Sequence, residues 1–161
     1  MIVVADTSPL NYLIQIECVD LLRALYGQVV IPHGVLEELS HVDAPIAVRL
    51  WGDHLPDWVD SRVVQPQPDR TLSVLDRGER EAIQLALELN ANLLLIDERR
   101  GWIEAERRGL SVTGTLGVLL TAGIQELTDP EAAYFRLVRE TNFRGSAALG
   151  TEFLKRARSL R

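Results

Sequence analysis

The sequence predicts an α/β three-layer sandwich with a central parallel β-sheet. Short apolar runs at Ile2-Val3-Val4-Ala5 and Leu93-Leu94-Leu95-Ile96 have the length and composition of buried strands. Segments of roughly ten to fifteen residues with helical periodicity separate such runs, which calls for right-handed crossovers and a sheet covered on both faces. Each of the two strongest runs ends on an aspartate, Asp6 and Asp97. In an open parallel sheet both would stand at the carboxyl edge, where ligands gather.

Each element has a local signal. Behind the first strand, Thr7-Ser8-Pro9 reads as a helix start with Ser8 at the N-cap and Pro9 at the first helical position. Leu10, Leu13, Ile14, Leu21, Leu22 and Leu25 keep helical spacing from Pro9 to about Leu25, and Gly27 stops that helix. Val29-Val30-Ile31 is a second strand, Pro32 opens a short helix through Leu39, and residues 43–51 read as another. Residues 54–70 include Pro56, Pro66 and Pro68, with strand character confined to Val59 to Val64. Asp76 starts a strongly amphipathic helix to Asn90, and the Leu93 run follows. Arg99 to Arg108 is helical up to Gly109, and Ser111-Val112 is a brief last strand. Leu116 to Ala122, Pro130 to Glu140 and Leu149 to Ser159 are expected as terminal helices. No internal repeat or low-complexity segment interrupts the pattern.

The chain has 161 residues, enough for one well-buried domain, and 47% apolar with 25% charged residues is ordinary for a globular protein. Cys18 is the only cysteine, so no intrachain disulfide and no cysteine-based zinc site can form; it reads as inert core on an apolar helix face. No apolar stretch approaches the roughly 18 to 20 residues that span a bilayer, and a cytoplasmic protein without membrane contact is expected. The net charge of −6 argues against coating nucleic acid through bulk electrostatics. Its distribution is uneven: Arg136, Arg139, Arg144, Lys155, Arg156, Arg158 and Arg161 face only Glu140 and Glu152 in the same stretch. That basic flank can hold a polyanion, or it is a solvated helix face with a frayed tail.

Two further acids sit at helical positions that face a core. In LDRGEREAIQLALEL, Glu79 precedes the stripe Ala82, Ile83, Ala86 and Leu89 or Leu87 by three and four positions, whereas Glu81 groups with Gln84 and Glu88 on the polar face. A capping box with Asp76 as N-cap is the structural alternative for Glu79. In HGVLEELS, Glu38 lies beside the Val35 and Leu39 face, while Glu37 points away with Gly34 and His41. Clustered carboxylates repel unless a cation lies between them, and a divalent ion bound through oxygen is the common solution. His33, His41 and His54 are scattered and read as surface residues.

The order strand-Asp, helix-Glu, helix-Glu, strand-Asp resembles the PIN-domain nucleases, and more narrowly the prokaryotic branch related to VapC-type toxins. The matching strings are VVADTSPLNYL at 3–13, VVIPHGVLEEL at 29–39, LDRGEREAIQLALELNANLLLIDERR at 75–100 and GLSVTGTLGVLL at 109–120. The resemblance implies one PIN-like nuclease domain over residues 1–161 with a basic helical flank from about residue 130. It implies a Mg²⁺- or Mn²⁺-dependent endoribonuclease hydrolysing RNA phosphodiesters, with Asp6, Glu38, Glu79 and Asp97 as the catalytic acids. Asp6 and Asp97 would be central metal ligands, Glu79 a further ligand or an orienter of water, and Glu38 a ligand or base at the rim. Glu98 would be an outer ligand, and Ser8 and Thr113 or Thr115 would line the site. Relatives usually carry a basic residue in the helix after the fourth acid, about where Trp102 stands here, with Arg99 and Arg100 just before it. The family's toxins commonly form homodimers and are blocked by an antitoxin protein.

Two other readings compete. A receiver-like phosphoacceptor domain also gathers acids at strand ends but needs a lysine at a late strand end, and the only lysine here is Lys155. A catalytically inactive PIN-like module would use the acidic pocket to bind a protein or nucleic-acid partner. The retention of four acids favours catalysis.

Overall fold

A computed structural model describes residues 1–66 and 69–161, so Pro68 of the proline-rich stretch lies outside the described residues. Strand β1 (Val3–Ala5) runs into helix α1 (Thr7–Gln15), followed by α2 (Leu21–Tyr26), β2 (Val29–Pro32), α3 (His33–Leu39) and α4 (Ile46–Asp53). Strand β3 (Val59–Arg62), a 3-10 turn at Arg70–Leu72, α5 (Arg77–Glu88), β4 (Leu93–Leu95) and α6 (Arg99–Arg107) come next. The chain closes with β5 (Val112–Thr113), α7 (Thr115–Ile124), α8 (Pro130–Glu140) and α9 (Ala147–Ser159).

The five strands form one parallel sheet in the order β3-β2-β1-β4-β5, and β1 is its central strand. Because side chains alternate along a strand, the sheet divides its apolar residues between two cores. Val3, Ala5 and Leu95 enter a core with α1, α7 and the C-terminal helices, while Val4, Leu94 and Ile96 enter a second with Ala82, Ile83 and Ala86 of α5 and Ala105 of α6. Helix, sheet and helix are the three layers expected. No helix among the described residues is long and apolar enough to cross a membrane.

The structure departs from the sequence reading in several places. The helix from Pro9 to Leu25 is two helices, because α1 ends in a Schellman cap: the Cys18 amide donates to the Leu13 carbonyl at 2.7 Å and the Glu17 amide to Ile14 at 3.0 Å. Glu17 occupies the left-handed position at φ 59°, where glycine is usual, so composition hides the break. Cys18 therefore lies in the turn between the helices, half-buried against the first core, and not on a helix face. At the start of α1 the N-cap is Asp6, not Ser8, and Pro9 sits two residues inside the first turn, where its missing amide costs no hydrogen bond.

Helix α4 begins at Ile46, after Pro45, and β3 ends at Arg62. On α5, Gln84 is buried and Glu81 is only 13% exposed at its side chain, so the face assigned to solvent is largely covered. Glu81 is covered by α3, which packs beside α5: the Gly34 amide donates to Glu81 Oε1 at 3.1 Å, and Arg77 bridges Glu81 and Glu37. Glu37 itself is exposed, as are His33, His41 and His54.

Candidate active site

The carboxyl edge of the sheet carries both strand-end acids. The Asp6 amide donates to the Leu95 carbonyl at 2.9 Å and the Ile96 amide to Thr113 at 2.9 Å, so the chain leaves the two central strands side by side at Asp6 and Asp97. Asp6 stands at the N-cap of α1, yet its carboxylate makes no capping bond to that helix. It is 2% exposed, and its Oδ1 is buried with no hydrogen-bond partner. Removal from water pushes its pKa well above the ordinary carboxylate range, and the charges of Asp76, Glu79 and Glu38 add to this; the nearby Thr7 amide opposes it.

Glu38 reaches the same corner from α3. Thr7 Oγ1 donates to its Oε2, and the Gly78 amide donates to its Oε1 at 3.1 Å. Burial raises its pKa, with Asp76 adding to the rise, while those two donors hold it down in part. The two helices are locked reciprocally, since each donates a first-turn glycine amide to a glutamate of the other: Gly34 to Glu81 and Gly78 to Glu38. A Cβ on Gly34 would come 2.8 Å from Glu81 Oε2, and one on Gly78 would come 2.7 Å from Glu38 Oε1. Such contacts set a carboxylate against the positive end of a helix.

Glu79, 9% exposed, starts the inner face of α5. Its pKa is raised to about 7, first by burial, then by the charge and carboxyl group of Asp76, and by Glu98. The capping box is present in its forward direction, since Asp76 Oδ1 accepts from the Glu79 amide at 2.8 Å. Capping and burial act on the same residue, and burial outweighs the amide of Asp76. Asp97 is held by Thr115, whose amide donates to Oδ1 at 2.8 Å and whose hydroxyl donates to Oδ2 at 2.7 Å. Its pKa is also raised, by burial first, with Thr115 opposing and Glu98 adding.

The acids bear all the donor chemistry at this corner: oxygen ligands from four separate elements, with no histidine or cysteine among them. An unpartnered buried carboxylate oxygen beside further acids fits a hard divalent cation in chemistry and in charge. Among the described residues, no three acids, histidines or cysteines are arranged to hold an ion as their side chains stand. Glu38 is turned to Thr7 and Gly78, and Asp97 to Thr115. For Asp97 to turn toward a cation it would have to give up a Thr115 bond.

The family model of a PIN domain matches residues 2–159. The chain belongs to the PIN-domain family. PIN domains are generally nucleases and usually use divalent metals. The solved structure of a PilT N-terminus domain protein from the hyperthermophilic archaeon Sulfolobus solfataricus is similar at a TM-score of 0.51 and 17% identity, over 90% of this chain and 100% of that one. At that identity the likeness speaks to the fold alone. No curated protein matches the chain.

Within this PIN domain, Ser8 and Thr113 line a groove that opens from Asp97, Thr115 is the buried partner of Asp97, and Glu98 is exposed at the start of α6. Sequence reasoning passed over Asp76, which it treated only as a cap, although its charge raises the pKa values of Asp6, Glu38 and Glu79. It also passed over Thr7, whose hydroxyl holds Glu38. Both were in view: Asp76 lies three residues before Glu79, and Thr7 directly follows Asp6. Most arginines of the basic flank are paired with acids, some within the same stretch and some beyond it. Arg158 and Arg161 face Glu131 at 2.9 Å, Arg136 pairs with Glu140 at 2.7 Å and approaches Glu17, and Arg156 pairs with Glu152 at 3.0 Å.

The raised acids set the sign of the pH dependence. A carboxyl that keeps its proton in the folded state but loses it on unfolding destabilises the fold as pH rises from the unfolded to the folded value. For Glu79 that window runs from 4.5 to about 7, and Asp6, Glu38 and Asp97 are shifted in the same direction. Asp69, lowered to about 2, exerts its stabilising effect fully above 3.8 and is constant across this window. In chelator, the melting temperature should therefore fall between pH 5 and pH 8, and Glu79→Gln should raise it at pH 8 and flatten the slope. An unchanged slope in the variant would contradict the burial of an ionisable Glu79.

Proposed function

We propose that this PIN domain is a metal-dependent endoribonuclease that hydrolyses phosphodiester bonds in RNA. The observation that carries the reading is the buried, unpartnered Oδ1 of Asp6 in a corner shared with Asp76, Glu79 and Glu38. A structural aspartate at an N-cap would spend its carboxylate on the helix, and this one does not. The inactive binding-module reading, in which the pocket receives a partner's arginine, accounts for one buried acid but leaves the accumulation of further raised carboxyls without a purpose.

Asp6 and Asp97 would hold a Mg²⁺ or Mn²⁺ ion, with Glu79 as a further ligand or orienter of water. When bound, such an ion draws charge from phosphoryl oxygens and lowers the pKa of a water. The chain's own residues do the positioning. Thr115 fixes the plane of the Asp97 carboxylate, and Thr7 and the Gly78 amide fix Glu38 at the rim. There Glu38 serves as the base that takes a proton from the attacking water as its oxygen bonds to phosphorus, while the phosphorus–oxygen ester bond to the departing ribose breaks and that oxygen takes a proton from solvent.

Asp6→Asn keeps the size of the side chain and removes its charge. Divalent-dependent cleavage of single-stranded RNA should fall by on the order of a hundredfold or more, with far-ultraviolet circular dichroism unchanged. Millimolar Mg²⁺ should raise the melting temperature of the wild type at neutral pH and leave that of Asp6→Asn nearly unmoved. Glu88→Gln, at an exposed position of α5, is the matched control. Glu81 is unsuited to that purpose because it holds Gly34 and Arg77. Cleavage by Asp6→Asn at the wild-type rate would transfer the assignment to the binding module.

We further propose, from the sequence resemblance, that the enzyme is the toxin of a toxin–antitoxin pair and acts in the cytoplasm. Induced expression should slow cell growth, and Asp6→Asn should relieve the effect; equal slowing by both forms would refute a nuclease toxin. The chain should also form a homodimer, and a sedimentation mass of one chain at micromolar concentration would overturn that expectation.

A further inference from the structure

Beside the acids, a groove of about 540 Å³ runs between α1, α6, the start of α7 and the segment before α9. Its volume lies within the range of about 300 to 1,000 Å³ typical of sites for small organic groups. Three aromatic residues line it, Tyr12, Trp102 and Phe143. Tyr12 and Phe143 meet edge to face with ring centroids 5.3 Å apart, which fixes one wall. Trp102 forms another and remains half-exposed.

Aromatic and acidic walls meet at Gly114. A Cβ there would lie 2.5 Å from Asp97 Oδ1 and 3.4 Å from Trp102 Cζ3, so the absent side chain lets the indole and the candidate metal ligand close on the same point. Arg99 lies one helical turn before Trp102 on α6, and Arg144 lies close enough to Tyr12 to lower its pKa against the raising effect of burial and Asp97. Neither arginine pairs with an acid among the described residues, although most arginines of the C-terminal flank do. Glu98 and Glu106 also line the groove, so its charge is mixed and its most uniform feature is the aromatic surface.

We propose that this groove receives one unpaired base of a single-stranded RNA, stacked on Trp102, with Arg99 and Arg144 against the adjoining phosphates; this rests on the nuclease reading given above. A base has an apolar face and no charge, and suits aromatic walls whose rim is mixed. Its phosphates need cations, and the two unpaired arginines supply them. Because the groove opens directly from Asp97, the stacked base belongs to a nucleotide adjoining the phosphate being cut. A base within a duplex cannot enter without leaving its stack, so the groove selects single strands.

Full-length Asp6→Asn protein, which should not cleave, is titrated with single-stranded oligoadenylate and with an RNA duplex of equal length while tryptophan emission is followed. Trp51 and Trp58 pack on each other in the first core, 6.2 Å between centroids, leaving Trp102 to report on the groove. The single strand should quench emission and the duplex should not. Trp102→Phe should lose the quench and keep its affinity within about threefold, and Trp102→Ala should bind on the order of tenfold or more weakly. In the active protein, Trp102→Ala should raise KM far more than it lowers kcat. Replacing the base beside the cleaved phosphate by an abasic residue should slow the wild type and leave Trp102→Ala indifferent.

If the wild type cleaves RNA but the strand leaves Trp102 emission untouched, or Trp102→Ala keeps the wild-type KM, the base lies elsewhere and the proposal falls. In that case the groove is open to a peptide of a protein partner. If the wild type neither binds nor cleaves RNA, the nuclease reading itself fails.

Discussion

Removal of carboxyl groups from water at the sheet's carboxyl edge is the constraint around which this structure is arranged. Burial is the largest cause of the raised pKa values of Asp6, Glu38, Glu79 and Asp97 alike, ahead of the repulsion among the acids. Mutual charge alone would leave each group free to turn outward to solvent. Asp6 is held inside: its backbone is hydrogen-bonded to β4 at the central strand's exit, and the residue is buried there. A fold that buries an acid with an oxygen left unpartnered accepts a cost of a few kcal/mol. A bound cation would reverse that cost, so that destabilised acids and a ligand site would be the same feature.

The surrounding contacts keep the acids separate enough to serve and close enough to interact. Thr7 and the Gly78 amide take Glu38, Thr115 takes Asp97, and Asp76 takes the Glu79 amide. The Gly34–Glu81 contact repeats the Gly78–Glu38 contact in the opposite direction between the same two helices. Glu81 thus reaches the site indirectly: it fixes α3 against α5, and α3 presents Glu38. A mutation there would disturb the position of a catalytic candidate that it never touches.

Much of the fold could be read from the chain because its signals were local. Pro130 after Asp129 marks a helix start that the structure reproduces, with Asp129 accepting from Glu131 and Ala132. The two strand-end aspartates announced the sheet's edge for the same reason. What escaped was set by partners distant in sequence. The face of α5 with Glu81 and Gln84 looks polar by periodicity, but α3, some forty residues earlier in the chain, covers its Glu81 side. The groove's walls are further apart still, from Tyr12 to Phe143, and no periodicity links them. The break after α1 was hidden because a glutamate, not a glycine, takes the left-handed position.

Charge gives the last connection between fold and proposed chemistry. With a net charge of −6, the chain attracts a polyanion only where its cations escape internal pairing. The C-terminal flank, basic by count, spends Arg136, Arg156, Arg158 and Arg161 on acids of the fold, and α9 is tied to α8 by the pairs with Glu131. Those arginines stabilise the layer that carries Phe143 and Arg144 into the groove. Attraction for a nucleic acid then depends on a few residues beside the acids, Arg99 and Arg144 foremost, together with aromatic surface whose grip does not weaken with salt. A domain built this way would hold a short stretch of strand at one place and have little hold on the rest.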